Sequence, residues 1–267
     1  MGSPISHSLS PTIFNAAFES LSLDLEYVAV EVPPGRAEEA IDEARALGVM
    51  GLSVTMPHKA SVLPALDRLS AAAEALGAVN TVLRVGDELV GDNTDGPGFL
   101  DALAADEGFD PAGRRCVVFG AGGAARAVIL ALAAAGAAEV SVVNRNAEHA
   151  EVAVLLAGAV GRIGEPADVK GADLIVNATP IGMQGQPAEP LFETSILAEG
   201  QLVADLVYHP SITPLVAEAR SRGARAVNGL GMLIHQAGHS FQLWTGQPPP
   251  LSVMSAAAVS ALRRDGR

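Results

Sequence analysis

A four-residue apolar run, Cys116-Val117-Val118-Phe119, leads directly into Gly120-Ala121-Gly122-Gly123-Ala124-Ala125-Arg126 and then into an alanine-rich stretch. Strand, sharp glycine turn and helix in that order form the start of a βαβ unit, and few features constrain a chain more. The spacing fits G-x-G-x-x-A, in which the glycines allow a tight turn and let a pyrophosphate approach the helix N-terminus closely. In a chain with 28 glycines the glycines alone say little. The strand before them and the helix after them make the reading a dinucleotide site built from Gly120, Ala121, Gly122, Gly123 and Ala124.

The next strand selects the nucleotide. Sites for NAD usually end that strand in Asp or Glu, which accepts from the ribose hydroxyls. Here Val140–Val143 ends in Asn144-Arg145-Asn146, with no acid. An arginine there can pair with a 2′-phosphate and stack on adenine. The alternative is a solvated loop arginine. NADP is the cofactor this pattern favours.

Strand-like and helix-like segments alternate along the whole chain, the pattern of an α/β protein with parallel sheets. Ser10-Pro11 reads as an N-cap with proline in the first turn, opening a helix whose apolar face holds Ile13, Phe14, Ala17, Phe18 and Leu21. Strands are predicted at Tyr27–Val32, Met50–Val54 and Val79–Val85, with a helix over Arg36–Leu47 stopped by Gly48. A second series comprises Cys116–Phe119, Val140–Val143, Leu174–Asn177, Leu202–Asp205 and Arg225–Val227, with a weaker strand near Arg162-Ile163. Helices follow over Met232–Leu243 and Leu251–Leu262. The expected architecture is two α/β units, and on the pattern alone the closing helices can pack on either.

Composition excludes several classes. A net charge of −13 argues against nucleic acid, whose phosphates need a basic surface. The single cysteine, Cys116, rules out an intrachain disulfide and reads as a small hydrophobe in a buried strand. Ala127–Ala138 is about half of what a membrane span needs, and no secretory signal is evident. The six histidines form no recognised ligand set, so no metal is expected. The chain reads as a cytoplasmic protein with a small-molecule substrate, working as a monomer or homodimer.

Only two of the 17 Lys and Arg residues are lysines, Lys59 and Lys170. Arginine stays protonated at any cellular pH, whereas lysine can pass a proton, so a retained lysine raises the question of acid/base work. A surface side chain that escaped the arginine bias is the competing reading. Lys59 stands in Val54-Thr55-Met56-Pro57-His58-Lys59. Ser8, Ser10, Thr55, Asn80, Thr81, Asn93 and Asp95 also fall at predicted strand ends and loops, where ligands of open α/β sheets bind. Taken singly, each is as readily a cap or turn residue, and Asp95 can equally be the N-cap of the next helix.

Several segments together resemble the shikimate dehydrogenase family over nearly the full length. They are Pro4 to Pro11, Val54 to Lys59, Ala78 to Thr81, Gly91 to Gly96, the Gly120–Arg126 loop, Asn177 to Pro180, Asp205 to Tyr208 and Gly229 to Leu233. The resemblance implies reversible reduction of 3-dehydroshikimate to shikimate with NADPH. It makes Lys59 the acid/base and Asp95 its partner. It puts Ser8 and Ser10 on the substrate carboxylate, and Thr55, Asn80, Asp95 and Gln236 on the ring hydroxyls, with Tyr208 nearby. Leu206 and Gly229 join Asn144, Arg145 and Asn146 on the cofactor. Gln236 implies that the closing helices return to the first domain. The resemblance thus implies a substrate-binding and catalytic domain of residues 1–94 plus 230–267, with an open, mostly parallel sheet, and an NADP-binding Rossmann-type domain of residues 95–229.

The chain departs from the family pattern in places. Relatives often have histidine where Phe14 stands and asparagine where Ser53 stands. Asn146 and His149 replace part of the usual phosphate clamp, so NADP is expected to be favoured by a smaller margin. Relatives also carry a hydrophobic strand ahead of the Gly-x-Pro segment, and restoring about eight upstream residues is expected to raise thermal stability by several degrees. The alternative activity is an NAD-using quinate/shikimate or aminoshikimate dehydrogenase. A non-catalytic nucleotide sensor on the same fold would be expected to lack Lys59 or Asp95.

Overall fold

The computed structural model describes residues 1–185 and 189–265. The chain divides into two compact units, Met1–Gly98 with Ile234–Arg267, and Phe99–Leu233.

In the first unit, α1 (Ser10–Ser20) buries Ile13, Phe14, Ala17 and Phe18, and α2 (Ala37–Ala46) buries Ala37, Ile41 and Ala44. Its sheet contains β1 (Gly51–Ser53), β2 (Arg68–Leu69), β3 (Thr81–Val85) and β4 (Glu88–Asp92) in the order β1-β3-β4-β2. The short helix α3 (Ala71–Leu76) is capped by Ser70, whose hydroxyl accepts from the Ala73 amide.

The mostly parallel sheet expected here is instead mixed. β1–β3 and β3–β4 are antiparallel, and β2–β4 is parallel. The cause is local. Only Gly86 and Asp87 separate β3 from β4, a two-residue hairpin, whereas a parallel pair needs a crossover of a dozen residues or more. The predicted strand Tyr27–Val32 forms no ladder. Only a bridge between Gly2 and Glu31 is present, supported by Val32 N donating to Gly2 O at 3.0 Å. Val28 and Val30 are accordingly exposed.

The helix α4 (Asp95–Glu107) carries the chain into the second unit. There β5 (Arg115–Phe119), β6 (Glu139–Val143), β7 (Gly161–Ile163), β8 (Leu174–Asn177), β9 (Leu202–Asp205) and β10 (Arg225–Val227) form one sheet, ordered β10-β9-β8-β5-β6-β7. Every pair is parallel. The strands are apolar on both faces because both faces are covered. Cys116, Val118, Val140, Val142, Leu174 and Val176 pack in one core with residues of α4, α5 (Gly123–Ala134) and α6 (Ala147–Val154). Val117, Phe119, Ile175 and Val203 pack in the other with residues of α7 (Pro214–Ser221). The strand order reverses between β5 and β8, and this switch point is where open α/β sheets bind ligands.

The chain returns to the first unit through α8 (Leu230–Thr245), and α9 (Leu251–Asp265) packs along α1. Gly98 of α4 lies against α8. A Cβ there would fall 2.4 Å from the backbone nitrogen of Gln236. Only glycine permits that approach. Among the described residues, no helix is long and apolar enough to cross a membrane.

Candidate active site

The first unit brings Lys59, Asn80, Asp95 and Gln236 together. Lys59 is fixed through its neighbours. Its carbonyl accepts from Val79 N at 2.8 Å, just ahead of β3, and the buried His58 holds its ring nitrogen 2.7 Å from the Val32 carbonyl oxygen. Thr55 opens this turn, its carbonyl accepting from His58 N at 2.9 Å. Lys59 Nζ donates to Asp95 Oδ2 at 2.5 Å. The side chains are 21% and 9% exposed, so the ammonium is reachable from solvent while the carboxylate is nearly sealed.

Asp95 is the first residue of α4. Asn93 does the capping, its Oδ1 accepting from Asp95 N at 3.1 Å. The Asp95 carboxylate is therefore left for side-chain partners, and Asn80 Nδ2 donates to its second oxygen at 2.8 Å. Asn80 is itself fixed, with Oδ1 accepting from Thr94 N at 2.8 Å. From α8, Gln236 Oε1 lies 3.4 Å from both Asn80 Nδ2 and Thr94 Oγ1.

Ser10 corrects one expectation. The helix starts at Ser10, its N-cap is Leu9 without a side-chain bond, and the Ser10 amide donates to Ser8 Oγ at 3.3 Å. Capping duty has shifted to Ser8, and the Ser10 hydroxyl is not spent on the backbone.

Two residues absent from the sequence-based set, Thr94 and Ser240, belong to this cluster, and Thr81, already among the strand-end residues, joins them. Thr94 and Ser240 are buried beside Gln236, and Thr81 Oγ1 lies 2.7 Å from Ser240 Oγ. Thr94 adjoins Asp95 in the Gly91–Gly96 segment and could have been found there. Ser240 had only its i+4 spacing from Gln236 as a signal. The resulting arrangement is an anchored lysine, able to give or take a proton, among amide and hydroxyl groups suited to a polyhydroxylated ligand.

The second unit holds the expected nucleotide residues. Gly120 has φ +114°, and a Cβ there would meet the Ala178 carbonyl oxygen at 2.9 Å, across the switch point. Gly122 precedes α5 in extended backbone, and no atom lies within 4 Å of where its Cβ would stand. That open space over the α5 N-terminus fits a phosphate. Ala121, Gly123 and Ala124 complete the turn. Arg126 Nε, in the first turn of α5, is buried without a hydrogen-bond partner.

After β6, Asn144 Nδ2 donates to the Asn146 carbonyl at 2.9 Å, and Asn146 Oδ1 caps α6 by accepting from His149 N at 3.1 Å. These two asparagines brace the loop and leave Arg145 exposed between them. Leu206 N donates to Asn177 O at 2.9 Å, and Gly229 N to Val207 O at 3.2 Å. Tyr208 belongs to this unit, and burial pushes its phenol up from its ordinary value. No group of three or more metal-binding side chains occurs among the described residues.

A six-stranded parallel sheet with a glycine loop at its switch point, in a chain that also carries an anchored lysine–carboxylate pair, defines a nucleotide-dependent oxidoreductase. Residues 1–82 match the family model of the shikimate dehydrogenase substrate binding domain, residues 229–259 that of the shikimate 5'-dehydrogenase C-terminal domain, and residues 109–183 a putative NAD(P)-binding model. The chain is 44% identical to the shikimate dehydrogenase (NADP(+)) of Methanopyrus kandleri, over 98% of this chain and 94% of that protein. It is 45% identical to the one from Geobacter metallireducens, over 99% and 96%. The shikimate 5-dehydrogenase of Thermus thermophilus, solved in complex with NADP(H) and shikimate, superposes with a TM-score of 0.91 at 39% identity, covering 97% of each chain. The chain belongs to the shikimate dehydrogenase family.

Proposed function

We propose that this chain is an NADP-dependent shikimate dehydrogenase that interconverts 3-dehydroshikimate and shikimate, with Lys59 as the acid/base. The observation that carries the reading is the Lys59–Asp95 pair, with Nζ and Oδ2 2.5 Å apart and the second carboxylate oxygen held by Asn80. The names of the relatives support the substrate and the cofactor.

NADPH, when bound, supplies the hydride. Gly120, Ala121, Gly122, Gly123 and Ala124 would hold its pyrophosphate, Arg145 its 2′-phosphate between Asn144 and Asn146, and Leu206 and Gly229 the rest of the molecule. The open space beside Gly122 and the exposed Arg145 fit this assignment.

The remaining work falls to side chains. Lys59 gives its proton to the oxygen that becomes a hydroxyl, and takes it back in the reverse direction. Asp95 keeps the ammonium aimed. Asn80, Thr55 and Gln236 hold the ring hydroxyls, with Tyr208 assisting, and Ser8 and Ser10 hold the carboxylate. Fixing a ligand at several points around its ring supplies the orientation the reaction requires. Initial rates of shikimate oxidation, with NADP and NAD in parallel, test the reading. Turnover mainly with NADP supports it. Turnover mainly with NAD, or none with either, overturns it.

A further inference from the structure

Arg126 is the one charged side chain of the Gly120–Arg126 loop, and the assignments above leave it unused. It stands in the first turn of α5. Its Nε is sealed from solvent and has no hydrogen-bond partner. Among the described residues its outer nitrogens meet no acceptor or carboxylate either, although the side chain is only partly exposed. Other arginines of this unit are paired: Arg162 Nη1 with Asp168 Oδ2 at 2.8 Å, and Arg220 Nη2 with the Ala226 carbonyl at 2.8 Å. A partly desolvated guanidinium without a counter-charge costs free energy, so its retention calls for a partner from outside the chain.

Position adds to the cost. The N-terminus of a helix carries partial positive charge, which favours acids and disfavours bases. α5 has no acid in its first turn, and Arg126 adds a second positive feature to the same end. The Arg126 amide donates to the Gly122 carbonyl at 2.9 Å, so Gly122 lies one turn, about 5.4 Å, ahead of it along α5. Helical side chains lean toward the helix N-terminus and lie over the preceding turn. Arg126 therefore leans toward Gly122, which is exposed and has no atom within 4 Å of where its Cβ would stand. Unspent charge, helix dipole and open space converge on a place suited to an anion.

We propose that Arg126 is a further cofactor-binding residue: its guanidinium pairs with the pyrophosphate that the glycine loop receives. This rests on the assignment of the pyrophosphate to the N-terminus of α5. The glycine turn supplies backbone amides, and Arg126 supplies the full charge that those amides lack. A division of labour with Arg145 follows. Arg145 reads the 2′-phosphate that NADP alone carries, whereas Arg126 holds the bridge common to NADP and NAD.

The test is Arg126→Met, which keeps the apolar stem and removes the charge, read by equilibrium titration without substrate. Kd for NADP and for NAD should rise by the same factor, about 10- to 100-fold, the worth of a charge-assisted pair. Kd for adenosine 2′-monophosphate, which has no pyrophosphate, should change less than about 2-fold. The melting temperature without nucleotide should not fall below that of the parent, because an unpaired charge at this helix end stabilises nothing. Unchanged Kd for both dinucleotides would overturn the proposal. A loss for NADP and adenosine 2′-monophosphate, but not for NAD, would move Arg126 to the 2′-phosphate and overturn it as well. Equal losses for all three ligands, with a lowered melting temperature, would make Arg126 merely structural. A parent chain that binds neither dinucleotide would remove the nucleotide assignment itself, and the role of Arg126 with it. Arg126→Gln, also uncharged, is the second variant should Arg126→Met fail to fold, with the same expected and refuting results.

Discussion

Replacing Lys59 with alanine separates proton transfer from simple attraction. The ammonium touches Asp95 at 2.5 Å, and the carboxylate keeps Asn80 as a second partner. Loss of a hydrogen bond to a charged group costs about 1.5–3 kcal/mol, or roughly 10- to 150-fold if it acts on binding alone. Loss of a positioned acid/base costs about 10²–10⁴-fold in turnover, equal to about 2.7–5.4 kcal/mol of barrier. The two ranges overlap in size but fall on different constants. If Lys59 moves the proton, kcat drops by about 10²–10⁴ while KM for shikimate changes much less. The assay is initial-rate kinetics at saturating NADP, with and without added methylammonium. A small amine fits the space vacated above Asp95 and should restore part of kcat. A variant within a factor of about two of the parent kcat would take Lys59 out of the chemistry. A loss confined to KM would make it only an anchor.

Arg145→Ala should raise KM for NADP about 10- to 100-fold, the worth of a charge-assisted pair, and leave KM for NAD unchanged. Parallel titrations of the two nucleotides check this, and an equal change in both would refute the phosphate role. Phe14 is 1% exposed and touches Phe18, Tyr27 and Trp244, so Phe14→Ala should cost about 3–5 kcal/mol in urea unfolding. A loss under about 1 kcal/mol would mean that this aromatic cluster is not the keystone of the first unit. Asp205 is buried, and burial outweighs its bonds from Thr213, Val207 and Asn177 to raise its pKa. Its folded pKa lies above its unfolded one, so the stability it contributes is greatest at acid pH and falls as pH rises through the raised value. The stability advantage over Asp205→Asn should therefore shrink as pH climbs from about 4 toward neutrality, by urea unfolding at stepped pH. A constant difference would refute it.

The second unit was legible because its strands are buried on both faces. β8, β9 and β10 begin and end where the apolar runs Leu174–Asn177, Leu202–Asp205 and Arg225–Val227 do. The first unit hid more. β4 reads Glu-Leu-Val-Gly-Asp, and its glycine and acid look like loop until its hairpin partner is known. Tyr27–Val32 has strand composition, yet a ladder depends on neighbours that composition does not report. Ser10 looked like a cap because serine before proline has the composition of one, and the helix in fact starts at Ser10, whose amide donates to Ser8 Oγ. Lys59 stood out through its scarcity. Gln236 carries no local mark, since its partner Asn80 lies 156 positions away. Its place in the site was accessible only through the family resemblance.

That separation governs how the molecule comes into being on the ribosome. The first unit needs Ile234 and the residues after it, so its early half must wait, unfinished, while all of the second unit is made. The nucleotide unit, continuous in the chain, is free to fold as soon as it emerges. A nascent chain halted anywhere before α8 lacks Gln236 and Ser240, and with them one wall of the lysine site. Such a fragment could hold a nucleotide without being able to seat a substrate beside Lys59. Activity thus appears only at the last stage of synthesis, and the crossing at Gly98 is the joint on which that late assembly closes.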